Sequence, residues 1–317
     1  MKTLVFIALL AAAVSAQGTK CRALCLAGGH DNGAYQAGAI VGLIQNRNTY
    51  EVEWDVVTGN GVGAINAMML SQYPKGQESE AATSLLEFWN NFQYKQFYED
   101  WYGWYITGLL DESGLYNSAP MNQTINKIYV KQAQRFLGVG ATDLKTGKYA
   151  FFNSSGQTTQ AMKYGVMASA ADPVWFPYVN YTDLKLVSGT VKFTVDIDRA
   201  VDACHQMGYS NSNIEIDTIL VSNKKIQKVD ASTYTSIPSL KRYLEIVAYD
   251  GVMRVYNVAI EEYPQANFKT LIAPGKKLPE TEFPYDYSYA QLRESLDIGI
   301  ADAKNTTQVP QKDLVSQ

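Results

Sequence analysis

Histidine and cysteine are scarce in this 317-residue chain, with two of the first and three of the second. That is too few for a His/Cys zinc centre with its supporting residues, so neither a metal nor a cofactor is expected. No run of Lys or Arg is long enough to track a phosphate backbone, and the formal net charge is −4. Nucleic acid is therefore excluded as a partner. Past the N-terminus no stretch reaches about 18 uninterrupted apolar residues, so no membrane-spanning helix is expected. Charged residues make up only 18 % and hydrophobic residues 46 %, a balance that supports a sizeable core and argues against disorder.

What is present begins with a leader. Lys2 precedes an apolar run from Thr3 to Val14, and Val14-Ser15-Ala16 supplies small residues before Gln17. This is the layout of a secretory signal peptide over residues 1–16, which places the mature chain in the secretory pathway, in the extracellular medium or a granule lumen. Four Asn-x-Ser/Thr sites, at Asn122, Asn153, Asn180 and Asn305, fit that route as possible N-glycosylation positions, Asn305 lying in a polar tail over 304–317. Cys21, Cys25 and Cys204 are odd in number and cannot all pair internally. Cys21 and Cys25 could bridge only if they did not share one short strand, and buried free thiols are the expected state.

Strands alternate with helices along the chain. Arg22 to Ala27 is apolar and meets Gly28 and Gly29; Gly33 to Gln45 follows with a broad apolar face. The pattern repeats with a strand from Val52 to Val57, a turn from Thr58 to Gly61 and a helix from Val62 to Leu70. Such units predict a parallel sheet whose functional loops gather at the carboxyl ends of the strands. A helix is predicted from Glu80 to Asn91, and others over 157–169, 239–263 and 287–303. Further strands are predicted over 135–141, 149–152, 184–187, 217–221 and 268–273. No linker or repeat divides the chain, so residues 17–303 read as one domain. Ten aromatics crowd Phe88 to Tyr105. They read first as a cap over the sheet, broken by Lys95, Glu99 and Asp100, and second as an exposed patch for lipid or a partner.

The turn Gly59-Asn60-Gly61-Val62-Gly63 stands where a G-x-S-x-G nucleophile elbow stands, between a strand and a small-residue helix. Gly61 occupies the central position and offers no side chain to attack an acyl carbon. The surrounding motifs resemble those of the patatin-like phospholipase family. They are the glycine-rich loop Ala27 to Gly38, the elbow Thr58 to Ala67, the stretch Ala168 to Pro177, and Val187-Ser188-Gly189-Thr190-Val191 in place of an Asp-Gly-Gly/Ala turn. Supporting pieces include 108–117, Ala141 to Leu144 with Gly147, and Leu296 to Gly299.

The resemblance implies an α/β three-layer sandwich with a mostly parallel central sheet and helices on both faces. It also implies a lipid acyl hydrolase ancestry with a Ser-Asp dyad. Here the nucleophile position is Gly61 and the dyad acid position is Ser188. In the glycine-rich loop His30 replaces a usual glycine, and Asn32 a usual Lys or Arg. Gly28, Gly29, His30 and Gly33 remain candidates for binding an oxyanion or acyl group, with Gly59, Gly63 and Gly189 as the glycines of the two turns. A substitute Ser188–His30 pair is conceivable, but no base is visible beside Ser188, which reads as a polar replacement. Asp172 reads as a turn residue before Pro173, and His205 as structural.

Removing the nucleophile of a serine hydrolase costs about 10⁶-fold in turnover. The expected function is therefore a secreted, catalytically silent protein that keeps a pocket for a lipid or fatty acyl ligand and makes peripheral membrane contact. An active hydrolase using non-standard residues and an extracellular scaffold without a lipid role are the alternatives. The sequence leaves the oligomeric state open.

Overall fold

In order along the chain the elements are β1 (Cys21–Leu26), α1 (Gly33–Asn46), α2 (Thr49–Val52), β2 (Val56–Gly59), α3 (Val62–Ser71) and α4 (Glu78–Asn90). Next come α5 (Trp104–Leu110), α6 (Ala119–Ile128), β3 (Phe136–Asp143), β4 (Tyr149–Asn153), α7 (Thr159–Ala170), β5 (Val179–Tyr181) and β6 (Leu184–Ser188). The last are α8 (Ile197–Gln206), β7 (Ile214–Ile219), α9 (Ser236–Glu262), β8 (Asn267–Ile272) and α10 (Tyr289–Asn305). This computed structural model describes residues 20–306 apart from 30, 224, 225, 227 and 282. The leader, His30 and most of the C-terminal tail lie outside the described residues. None of the helices described is long and apolar enough to cross a membrane.

The strands form one eight-stranded sheet in the order β5-β6-β3-β2-β1-β7-β8, with β4 paired to β3. The central pairs β3·β2, β2·β1, β1·β7 and β7·β8 are parallel, while β4, β5 and β6 add an antiparallel edge. A parallel sheet must be covered on both sides, and alternation along β1 shows how this sequence meets that demand. Leu24 and Leu26 enter the core formed with α1, α3, α4, α7 and α10, whereas Cys21, Ala23 and Cys25 enter the core beneath α8 and α9. Helices α1 and α10 approach closely because Gly38 and Gly299 carry no side chain; a Cβ at either would strike the backbone of the other helix or its neighbour.

Several boundaries move for physical reasons. The strand predicted from Val52 begins only at Val56, since Thr49–Val52 is helical and Ala23 of β1 pairs in register with Val56. The strand predicted over 217–221 is Ile214–Ile219, its start disguised by Glu215, which Lys20 and Arg22 neutralise at 2.5 and 3.1 Å. Helices α6 and α8 and strand β5 lie in stretches where no element was predicted. The expectation of three free thiols is overturned: Cys21 of β1 and Cys204 of α8 form a disulfide, with Cα atoms 5.8 Å apart across 183 residues of sequence. Their separation hid the pairing, because only the packing of α8 on β1 brings them together. Cys25 stays free and buried, and burial pushes its thiol up to about 12.

The aromatic stretch divides. Phe88, Trp89, Phe92, Phe97 and Tyr98 pack into the core or against it, with Phe92 and Phe97 centroids 4.7 Å apart. Tyr102 and Trp104 are exposed, and so are Ile106, Leu109 and Leu110 of α5.

Candidate functional site

Because β1 and β2 run parallel and end side by side, with Leu26 paired to Gly59, the glycine-rich loop and the elbow are neighbours. The Asn60 amide donates to the Leu26 carbonyl at 3.3 Å, stitching the two turns together. Gly61 caps α3 with φ 56° and ψ −131°, a backbone conformation that glycine adopts without the cost a side chain would add. The outer elbow glycines are needed for close approach. A Cβ on Gly59 would strike the Gly63 carbonyl, and one on Gly63 would lie 2.6 Å from the Leu26 carbonyl oxygen. The elbow geometry has therefore been kept although its hydroxyl is gone.

What faces the elbow is Thr190. A Cβ built on Gly61 would lie 3.1 Å from Thr190 Cγ2 and 3.2 Å from Gly28 Cα, so the methyl group of Thr190 packs into the space a nucleophile's side chain would use. The same methyl sits against Gly28, where any Cβ would collide with it. Thr190 is held there by a 2.8 Å hydrogen bond between its Oγ1 and Ser188 Oγ, and its amide donates to Ser188 Oγ at 3.4 Å. Ser188 is fully buried. Its hydroxyl thus caps its own turn, as a small polar side chain commonly does. Gly189 cannot be larger, since a Cβ would strike the Gly140 carbonyl.

Two of the amide donors beside the elbow are engaged within the protein. The Gly61 N–H donates to Ser169 Oγ at 3.0 Å, Gly28 N–H to the Thr194 carbonyl at 2.7 Å. Gly33 is covered by the ring of Trp89, whose Nε1 donates to Asn66 Oδ1 at 2.8 Å. Asn66 in turn donates to the Gly33 carbonyl and to Gln36 Oε1, both at 3.0 Å. Gly29, at φ 123°, has Val221 Cγ2 3.4 Å from where its Cβ would stand. Next along the loop, Asp31 is gripped by a segment near the C-terminal helix, accepting from the Tyr285 amide at 2.7 Å and Tyr287 Oη at 2.8 Å. The structure accordingly brings Gly28, Gly29, Gly61, Ser188 and Gly189 together and leaves His205 at the surface, bonded to Asn211 at 2.6 Å.

Five contributors escaped sequence reasoning. Asn60, fully buried, donates through Nδ2 to the Phe193 carbonyl at 2.6 Å and accepts from the Gly140 amide at 3.0 Å and Tyr149 Oη at 3.1 Å. Tyr149 Oη also lies 2.6 Å from Asp196 Oδ2. Asp196 caps α8, and burial pushes its carboxyl up to about 6 against the lowering effect of Tyr149 and the Arg199 amide. Thr190 did leave a readable signal: it stands at the third position of a turn where the resemblance calls for Gly or Ala. Ser169, inside the quoted Ala168 to Pro177 stretch, gave none, because its role depends on α7 lying against the elbow.

Of the expected glycosylation positions, Asn122 and Asn180 are exposed, Asn153 is half-buried with Oδ1 accepting from the Ser155 and Gly156 amides, and Asn305 ends α10 instead of lying in a loose tail. Among the described residues no cluster of His, Cys, Asp or Glu could hold a metal ion.

Comparison with known proteins agrees with this architecture. The family model described as patatin-like phospholipase matches residues 24–201, from β1 through the elbow and the Ser188 turn into α8. Thirteen chains of solved structures match. Among them is VipD from Legionella pneumophila, whose crystal structure aligns over 90 % of this chain at 10 % identity and a TM-score of 0.46. This chain spans 66 % of the length of VipD. No curated protein matches. With the elbow, the glycine-rich loop and the Ser188 turn converging at the ends of β1, β2 and β6 within the matched region, this chain belongs to the patatin-like phospholipase family.

Proposed function

We propose that this protein is a secreted member of the family that does not hydrolyse acyl esters and acts by binding lipid. The observation that carries the first half is the Ser188–Thr190 pair: the residue at the acid position spends its hydroxyl on its own turn, and the methyl beside it fills the space over Gly61. A covalent acyl transfer needs a nucleophile and a base in contact. What survives without them is stabilisation by binding alone, about 10³ to 10⁴ over water. An active-hydrolase reading would need another nucleophile beside another base; Asp196 is buried, and burial beside it holds the half-buried Tyr149 phenol well above its ordinary value, in its protonated, unreactive form. Secretion is supported by the Cys21–Cys204 disulfide, a bond that persists in oxidising compartments.

Lipid binding is supported by family ancestry and by the apolar face of α5. Exposures of 69 % at Ile106, 68 % at Leu109 and 78 % at Leu110, beside a fully exposed Tyr102, are unusual for one short helix. Asp100, Asp111 and Glu112 flank it, which suits an uncharged or zwitterionic surface better than an anionic one. The same patch favours a second reading, an extracellular protein partner docking on α5. Two measurements decide. The folded protein should resist labelling by a fluorophosphonate, and labelling would overturn the inactive reading. It should also sediment with phosphatidylcholine vesicles, and Ile106→Asp/Leu110→Asp should abolish this; vesicle binding unaffected by the variant would move the lipid surface away from α5, and no vesicle binding at all would favour the partner reading.

A further inference from the structure

At the far end of α3 from the elbow lies a second concavity that the family's chemistry leaves unused. It is a half-open groove of about 780 Å³ between α3, α4, the turn after α4 and α6. Small-ligand sites run from about 300 to 1,000 Å³, so the groove has room to seat a single acyl chain along its floor with one side left open to water. Gly61 caps the start of α3 and Met69 of the same helix lines the cavity. Eight residues at about 1.5 Å each put the two sites roughly 12 Å apart along the helix.

The walls divide by chemistry. Met69, Phe88 and Ile128 supply apolar contact among uncharged polar side chains such as Gln72, Asn91 and Gln123, while Lys95, Lys127 and Lys131 also line the groove, with Glu87 as the one carboxylate. None of the three lysines is ion-paired among the described residues. Three unpaired cations on one cavity are notable in a chain of net charge −4. The segments that carry them are held in place. Gln72, almost fully buried, accepts through Oε1 from the amides of Val130 and Lys131, both at 3.0 Å. Thr124 of α6 donates to the Gln96 carbonyl at 2.6 Å, which fixes the turn bearing Lys95 against α6. Lys131 Nζ also sits 5.8 Å from the centroid of the Tyr73 ring and Lys95 Nζ 6.0 Å from that of Tyr94. The side chains themselves are exposed; what is fixed is the backbone that gathers three positive charges on one groove.

We propose that this cavity binds a single-chain amphiphile with an anionic head group, the chain lying on Met69, Phe88 and Ile128 and the head meeting Lys95, Lys127 and Lys131. This rests on the reading that the protein holds lipid without hydrolysing it, and it adds to the membrane-facing α5 a site for a single amphiphile at the end of α3 opposite the elbow. The shared chemistry admits a fatty-acid carboxylate or a lysophospholipid phosphate.

The test is calorimetric titration of the full mature chain with oleate, oleoyl lysophosphatidate and the uncharged monooleoylglycerol, below their aggregation limits, at low and high salt. Lys95→Glu/Lys127→Glu/Lys131→Glu changes only exposed side chains, and Ser84→Trp fills the cavity from α4; circular dichroism checks both folds. The expected result is saturable binding of one or both anions, at least tenfold weaker in high salt and in the triple Glu variant, and lost in Ser84→Trp. Preference for oleate over lysophosphatidate, or the reverse, names the head group. Equal binding by wild type and both variants would place the ligand elsewhere and overturn the cavity, leaving the lipid-binding reading intact. If no amphiphile binds while phosphatidylcholine vesicles still do, the cavity again fails alone. If neither amphiphiles nor vesicles bind, both readings fall.

Discussion

Restoring the lost dyad is a direct test of how the elbow is built. Gly61→Ser introduces a side chain at φ 56°, where a non-glycine residue costs about 1–3 kcal/mol. It also places Cβ 3.1 Å from Thr190 Cγ2, tighter than an ordinary contact, so Thr190 must turn away. Turning it breaks the 2.8 Å bond to Ser188, worth a further ~1 kcal/mol. The sum, about 2–4 kcal/mol, corresponds to a loss of roughly 3–6 °C in Tm for a chain of this size. Adding Thr190→Ala should return part of that loss, because the methyl is gone and nothing need rotate. Activity on a p-nitrophenyl ester should follow the same order. Gly61→Ser alone is inert for want of a base, Gly61→Ser/Ser188→Asp is weak, and Gly61→Ser/Ser188→Asp/Thr190→Ala is the most active of the three. Since the nucleophile is worth about 10⁶-fold, recovering even one hundredth of it would raise the rate about 10⁴-fold over wild type. Equal rates for the double and triple variants would refute the role given to Thr190. A folded but inert triple variant would instead locate the deficit in the glycine-rich loop, at His30 and Asn32. No change in Tm for Gly61→Ser would show that the elbow carries no such strain.

Two further outcomes follow from buried groups. Cys21→Ala/Cys204→Ala opens a loop of 183 residues, for which chain entropy sets an upper bound of about 5 kcal/mol; Tm should fall clearly, and non-reducing peptide mapping of wild type should show the Cys21–Cys204 cross-link with only Cys25 alkylated after unfolding. Three alkylated thiols would refute the bond. Asp196 keeps its proton to about pH 6 in the folded chain against an ordinary value of 3.8, because burial disfavours its charge. Its contribution is therefore most favourable below about pH 4 and is lost as pH rises through 6, a swing on the order of 3 kcal/mol. Urea unfolding across that range should show a decline in wild type that Asp196→Asn flattens, the carboxamide still accepting from Tyr149; parallel profiles would refute the assignment.

How much of this was legible in the chain varies with the range of the interaction. β1, α1 and α3 were readable to within a residue or so, since each is a local apolar pattern punctuated by glycine. The start of strand β7 was placed three residues late, because Glu215 looks like a solvent-facing side chain until Lys20 and Arg22 are brought beside it from 195 and 193 residues away. Helix α8 was missed for a related reason. Its buried stripe of Ile197, Ala200, Val201 and Cys204 is short and interrupted by charge, and it acquires meaning only against the face of β1.

By itself the sequence determined the family's frame and the residues at its centre. Gly59, Gly61 and Gly63 specify the elbow, and the identities of Gly61 and Ser188, on which the proposed inactivity rests, are settled before folding. Only the tertiary structure decided what surrounds them. The Thr190 methyl over Gly61, the Ser169 hydroxyl on its amide, the Asn60 hub and the Cys21–Cys204 bond all join residues from separate strands and helices. The unpaired lysines around the cavity beneath α4 and α6 belong to the same class. Packing creates such contacts, and no local spacing encodes them.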